Sequence, residues 1–173
     1  MSAWQEDKKW SDKFIADIKP ILGMYLIGEP PVEEDQSRNT DLMVLKMDSV
    51  RIGCRIRKYS YLNNYSGEFT IRSARQSGHK TEITKIIEGW GDYFFYGFCN
   101  DDESGLAFWT LANMNVFRLH FCRYLVSSNG AMLGTRKNNA DGKSGFRVFN
   151  WTDFPQEFIV AQHETKKETT CQI

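Results

Sequence analysis

Apolar and polar residues follow two different periods along this chain, and the changes of period divide it into segments. Near the start, apolar residues recur at helical spacing and predict a helix over residues 8–27. Pro20 falls inside this stretch, so we expect a kink or a split there. The next segment, GEPPVEEDQSRN, has a glycine, two prolines and four acidic residues without apolar periodicity, which indicates a surface loop.

Strand patterns dominate the middle of the chain. Runs rich in Val, Ile, Phe and Thr predict strands over residues 41–47, 50–58 and 67–74, with an exposed hairpin loop, KYSYLNNYSG, between the last two. The segment HKTEITKIIEGWG predicts a short helix that Gly89 and Gly91 stop. DYFFYGF and LAFWTLANM then predict two more strands, joined by the acidic turn NDDESG.

The C-terminal part is less regular. After VFRLHF, the Gly- and Asn-rich segment SSNGAMLGTRKNNADGKSG predicts a long loop, and FRVFNW and EFIVA predict the last strands. With 173 residues the chain has the usual size of one domain. The predicted domain has the N-terminal helix 8–27, a sheet and helix core over 40–112, C-terminal strands and loops over 113–162 and a mobile tail over 163–173. Because short turns join most strands, we expect an α+β or α/β fold with a mixed, largely antiparallel sheet flanked by helices.

Charge is balanced overall but uneven along the chain. The 22 basic and 22 acidic residues exclude a polycation that coats nucleic acid by bulk charge. Residues 51–80, however, contain seven basic side chains and only one acidic side chain, Glu68. Such a local excess is expected of a phosphate-binding face, although a solvated sheet face is the plainer alternative.

The arginines of this region recur at strand spacing. Alternation within RIGCRIRK places the arginines and Gly53 on one face and the apolar residues on the other, so one face is core and the other cationic. A planar guanidinium suits bidentate phosphate contacts, and a row of them makes binding salt-dependent. An acidic protein surface is an alternative partner for the same row. The predicted nucleic-acid-binding residues are Arg55, Arg57, Arg72, Arg75 and Lys80.

Two carboxylates open strands and are candidate catalytic metal ligands. Asp41 opens TDLMVL and Glu68 opens EFTIR, while Asp35 in the preceding loop is a spare ligand. Mg²⁺ needs only one or two carboxylates, with water and substrate phosphate completing its shell, and it lowers the pKa of the attacking water. The alternatives are a strand-capping role for Asp41 and a salt bridge from Glu68 to Arg55 or Arg57.

Other chemistry has little support in the sequence. Four cysteines without CxxC spacing argue against a zinc ribbon, and we expect Cys54 and Cys99 to be buried in apolar strands. The three histidines lack metal-ligand spacing, and no GxxxxGK[ST] motif is present. Because no signal peptide is evident and no apolar run approaches ~20 residues, we expect a cytoplasmic protein with no membrane partner.

The order of these elements, together with Asp41 in NTDLMVL, resembles the PD-(D/E)xK phosphodiesterase superfamily of restriction enzymes and Holliday junction resolvases. In that family a strand-opening Asp and a Glu and Lys on the next strand bind Mg²⁺ and orient the attacking water. The resemblance covers about residues 10–112 and implies a PD-(D/E)xK-like core, with Asp41 at the first position. Where the family has its E-x-K, this chain has CRIRK, with Arg55 and Arg57 in those places.

Two functions are consistent with these observations. The first is an endonuclease or resolvase that uses Mg²⁺ or Mn²⁺, with Asp41 and Glu68 as ligands, the arginine-rich sheet face on the nucleic acid and DNA as the expected substrate. The second is a nuclease-like module without catalysis that binds nucleic acid or inhibits a host nucleic-acid enzyme, as a phage or prophage accessory protein. Resolvases act as dimers, and the strand DYFFYGF is a candidate homodimer interface.

Overall fold

In the computed structural model the chain divides into two compact units, Met1–Val50 and Arg51–Ile173. Membership of both units in one domain stays a prediction. No helix among the described residues is long and apolar enough to cross a membrane. The structure describes residues 3–28, 43–44, 50–76, 78–140 and 142–164.

The first unit contains two helices where one was predicted. The break lies at Lys13 and Phe14, and Pro20 is accommodated inside the second helix rather than dividing it. The described elements are α1 (Ala3–Asp12), α2 (Ile15–Leu26), β1 (Ile27–Gly28) and β2 (Met43–Val44), with β1 and β2 antiparallel.

The second unit is built around two sheets. One has the order β3-β5-β6-β9 and the other β4-β8-β7; β3 and β5 are parallel and every other pair is antiparallel. The prediction of a mixed, largely antiparallel α+β fold with flanking helices is therefore confirmed. The elements are β3 (Ile52–Arg57), α3 (Leu62–Tyr65), β4 (Glu68–Arg75), α4 (Glu82–Ile87), β5 (Tyr93–Cys99), β6 (Leu106–Asn113), α5 (Met114–Ser127), β7 (Thr135–Asn138), β8 (Ser144–Asn150) and β9 (Ile159–Glu164).

Aromatic rings form the core of this unit. Phe69 of β4 is fully buried and stacks on Trp151 with a centroid distance of 4.3 Å and on Phe149 at 5.2 Å. Phe117 of α5 and Phe158 of a short 3-10 turn also contact its ring. This cluster holds β4, β8 and α5 together, and it fixes the position of β4 relative to the rest of the unit.

The segment between β3 and β4 is not the predicted hairpin loop. The two strands belong to different sheets, and the connection folds into a 3-10 turn, Tyr59–Tyr61, followed by α3. The indole Nε1 of Trp151 donates a hydrogen bond to the carbonyl of Ser66, 3.1 Å away, which ties the end of this connection to the core. A connection of this kind lets the chain cross from one sheet to the other.

The C-terminal prediction of strands and loops missed a long helix. Asn113 caps α5, because its side chain accepts a hydrogen bond from the Asn115 amide at 3.0 Å. The buried residues Met114, Phe117 and Phe121 recur at helical spacing. The predicted long loop contains β7, and the predicted tail starts too early because β9 continues to Glu164.

The cysteines divide between core and surface. Cys99 is fully buried in β5, as expected. Cys54 of β3 is exposed, so the expectation of burial was wrong for this residue, although partial burial of the thiol raises its pKa.

Candidate functional site

A cavity of about 350 Å³ lies in the second unit between β3, β4, α4 and the start of β5. Among the residues that the structure describes, its walls carry five cationic side chains and one carboxylate, so their summed charge is positive. We call this cavity the cationic cleft. Its charged residues are Arg55 of β3, Arg72 and Arg75 of β4, Lys80 before α4, and Glu82 and Lys85 of α4.

A β-bulge brings two of these arginines to the same wall. Residues three apart on a regular strand point to opposite faces, which would separate Arg72 from Arg75. The pairing of β4 with β8 shifts between Arg72 and Ala74, so Ser73 is an extra residue in the ladder. Arg72 and Arg75 consequently pair with Phe146 and Ser144, two residues apart on β8, and both line the cleft.

An ion pair crosses the cleft and joins its three main elements. The Arg55 guanidinium donates to Glu82 Oε2 at 2.6 Å and, through Nη1, to the carbonyl of Thr70 at 2.6 Å. The same Glu82 oxygen accepts a hydrogen bond from the Arg72 amide at 2.9 Å. Both side chains of the pair are less than one-third exposed, so Glu82 holds β3, β4 and α4 in place and partly neutralises Arg55.

Arg75, Lys80 and Lys85 are more accessible than Arg55. The Lys80 Nζ lies 2.7 Å and 2.8 Å from the two oxygens of Glu88 in an exposed pair. Arg75 and Lys85 are exposed, and neither side chain has a hydrogen bond or ion pair with any residue that the structure describes. Their charge is therefore available to an anion from outside the chain.

The short helix α4 is fixed at both ends, which sets the wall that it contributes. Thr81 caps its start by accepting a hydrogen bond from the Thr84 amide at 3.3 Å. Gly89, with φ of +96°, and Gly91, with φ of +82°, follow its end, as the sequence predicts for the stop of this helix.

Four of the five predicted nucleic-acid-binding residues come together in the cleft. They are Arg55, Arg72, Arg75 and Lys80. The fifth, Arg57, is not among the lining residues; its guanidinium lies 4.8 Å from the centre of the Tyr61 ring, with Nη1 3.5 Å from Thr70 Oγ1. The expected separation into a core face and a cationic face holds only in part, because Ile56 is buried but Cys54 on the same face is exposed. The half-buried Arg55 and Arg57 pair in register with the buried Tyr96 and Phe98 of β5, so the cationic face borders the aromatic core.

Of the three predicted metal ligands, Glu68 alone lies within the described residues. Asp35 and Asp41 lie outside the described residues. Glu68 is the first residue of β4, about 13 Å along the strand from Arg72 at the usual rise per residue. The alternative role considered for Glu68 was a salt bridge to Arg55 or Arg57. Arg55 forms its salt bridge with Glu82 instead. Among the described residues no group of three His, Cys, Asp or Glu side chains is arranged to hold a metal ion.

Sequence patterns missed two contributors to the cleft. Glu82 lies in the predicted short helix and was given no role. The available signal was its position directly after the capping Thr81, which makes it an acidic residue of the first helical turn. Trp90 lies at the end of the predicted short helix and was given no role, yet it is 58% exposed and lines the cleft. Its location between two glycines was the available signal for a turn.

No protein-family model, curated protein or solved structure matches this chain. The function of the cleft is therefore inferred from its own residues.

Proposed function

We propose that this protein binds nucleic acid, with backbone phosphates held in the cationic cleft. The observation that supports the proposal is the convergence of Arg72, Arg75, Lys80 and Lys85 on one cavity from separate segments of the chain. Clustered like charges repel one another, so their assembly around a cavity is more readily explained by an anionic ligand than by stability.

The chemistry of the free cations fits phosphate. Arg75 presents a planar fork of donors that matches two phosphate oxygens, and Lys85 adds a mobile point charge. Both are exposed, so a phosphate can reach them without desolvating the core. Glu82 keeps Arg55 in the cleft wall and lowers the net charge there.

The experiment is a fluorescence-anisotropy titration of a labelled oligonucleotide with the wild-type protein and with Arg75→Ala/Lys85→Ala. Loss of two contacts of about 1 kcal/mol each should weaken binding roughly 30-fold. The matched control is Arg123→Ala, which removes an exposed cation from α5 outside the cleft and should leave affinity unchanged.

A competitor separates nucleic acid from an acidic protein partner. Poly-glutamate carries similar charge density without phosphates, and it should displace the oligonucleotide only at a large excess. Equal affinity of the double variant and the wild type, or displacement by poly-glutamate at equal charge concentration, would contradict the proposal.

Metal-dependent hydrolysis is a separate proposal that rests on the PD-(D/E)xK resemblance. It requires Asp41 and Glu68 to bind Mg²⁺ or Mn²⁺. Among its described lining residues the cleft itself contributes one carboxylate, Glu82, whose Oε2 already accepts two hydrogen bonds. Incubation of supercoiled, linear and branched DNA with Mg²⁺ tests it. Nicking that EDTA and Asp41→Ala both abolish would support hydrolysis, and binding without nicking would leave a non-catalytic module.

A further inference from the structure

Trp90 is an exposed aromatic residue at the wall of the cationic cleft. It is 58% exposed, whereas Trp109 and Trp151 of the same unit are buried. Single exposed apolar residues are common on proteins, so exposure alone indicates nothing. What sets Trp90 apart is its place in the lining of a cavity that also carries several cationic side chains.

Hydrogen bonds tie the turn that carries Trp90 to its neighbours. The Trp90 amide donates to the Lys85 carbonyl at 3.0 Å, and glycines with positive φ lie on both sides of the residue. Arg118 of α5 donates from Nη1 to the Gly91 carbonyl at 2.9 Å and to the Ile86 carbonyl at 3.3 Å. These bonds hold the backbone of the turn against α4 and α5.

One face of the indole is already covered by a cation. The Arg51 guanidinium lies 4.9 Å from the ring centre. The Arg51 backbone is fixed in turn, since its amide donates to Asp92 Oδ2 at 2.8 Å and its carbonyl accepts from the Asp92 amide at 2.8 Å. With Arg51 over one face and 58% of the residue exposed, the other face of the ring is accessible to a ligand.

We infer that the cationic cleft binds single-stranded nucleic acid, with an unpaired base stacked on the open face of Trp90. A base in a duplex has its ring faces stacked on its neighbours and cannot lie on an indole, whereas an unpaired base can. The adjacent Arg75 and Lys85 take the phosphates that flank this base. Cationic grooves with aromatic platforms are the general means of binding single strands without sequence preference.

This inference rests on the proposed function, and the test separates the two. Labelled single-stranded DNA, single-stranded RNA of the same sequence and the matching DNA duplex are titrated with the wild type, Trp90→Ala, Trp90→Phe and Tyr124→Ala. Tyr124 is an exposed aromatic residue on α5 and not among the lining residues, so it serves as the control. Thermal unfolding of each variant checks that the fold is kept.

The expected result is that single strands bind at least tenfold more tightly than the duplex. Trp90→Ala should weaken single-strand binding about tenfold, Trp90→Phe should restore most of it, and Tyr124→Ala should have no effect. Quenching of the indole fluorescence by the oligonucleotide should be lost in Trp90→Phe. The DNA and RNA arms show which sugar the cleft prefers.

Three results would overturn the inference. If Trp90→Ala binds single strands as the wild type does, while Arg75→Ala/Lys85→Ala still weakens binding, the base platform is wrong and phosphate binding stands. If the duplex binds as tightly as the single strand, the assignment of the substrate class is wrong. Absence of binding to every oligonucleotide would reject the proposed function as well.

Discussion

The aromatic core and the cationic cleft share β4, and they differ in how the sequence builds them. On one face of this strand Phe69 and Ile71 are fully buried among rings. On the other face Arg72 and, after the bulge at Ser73, Arg75 line the cleft. The core depends on side chains that exclude water, whereas the cleft depends on charges that remain accessible to it. Core substitutions should therefore alter stability, and substitutions of the exposed cations of the cleft should alter binding.

The largest expected effect is in the core. Phe69→Ala removes a buried ring that contacts six others and should lower the free energy of unfolding by about 3–5 kcal/mol. Urea unfolding followed by circular dichroism measures it. Leu119→Ala, at an exposed position of α5, is the control and should change stability by less than about 0.5 kcal/mol. A loss of less than about 1 kcal/mol for Phe69→Ala would show that this ring is not central to the core.

A substitution at Glu82 should lower the stability of the protein and raise its affinity for nucleic acid. Glu82→Gln leaves the Arg55 guanidinium without its carboxylate and should lower the free energy of unfolding by about 1–3 kcal/mol. The same change removes the negative charge from the cleft, so oligonucleotide affinity should rise about twofold to fivefold at low salt.

The matched control for this change is Glu88→Gln. Glu88 pairs with Lys80 at the exposed rim, so its loss should cost less than about 0.5 kcal/mol. Weaker nucleic-acid binding by a folded Glu82→Gln protein would mean that Glu82 contributes to binding directly.

The smallest expected effect concerns a core hydroxyl. Thr110 of β6 is fully buried, and its Oγ1 has no hydrogen-bond partner among the described residues. Thr110→Val keeps the shape and removes the unsatisfied group, so stability should be unchanged or rise by up to about 1 kcal/mol. Thr81→Val provides the contrast, because it removes the cap of α4 and should cost about 1 kcal/mol. A clear loss of stability in Thr110→Val would point to a hydrogen bond for this hydroxyl.

The sequence predicted the parts of the fold that depend on local periodicity. The strand DYFFYGF and the helix stopped by Gly89 and Gly91 were correct because apolar spacing and glycine conformation act over a few residues. The helix α5 was missed, since VFRLHF contains aromatic and β-branched residues that also suit strands, and only the Asn113 cap marks its start.

The cleft was predicted only in part. The local excess of arginines identified four of its cations. The sequence did not show that β3 and β4 belong to different sheets, that Ser73 is bulged, or that Glu82 pairs with Arg55, because these features depend on contacts between distant segments. Arg57 was assigned to the same face by alternation, but it packs on Tyr61. Alternation gives the face of a strand and not the partner that lies over it.

The salt dependence of single-strand binding tests the central claim most directly. The slope of log Kd against log salt counts the phosphates that the protein neutralises, at about 0.7 per contact for single strands. If the cationic cleft holds the backbone, Arg75→Ala/Lys85→Ala should reduce the slope by about 1.4 and Arg123→Ala should leave it unchanged. An equal slope in the double variant and the wild type would contradict the account, because the phosphates would then lie elsewhere on the protein.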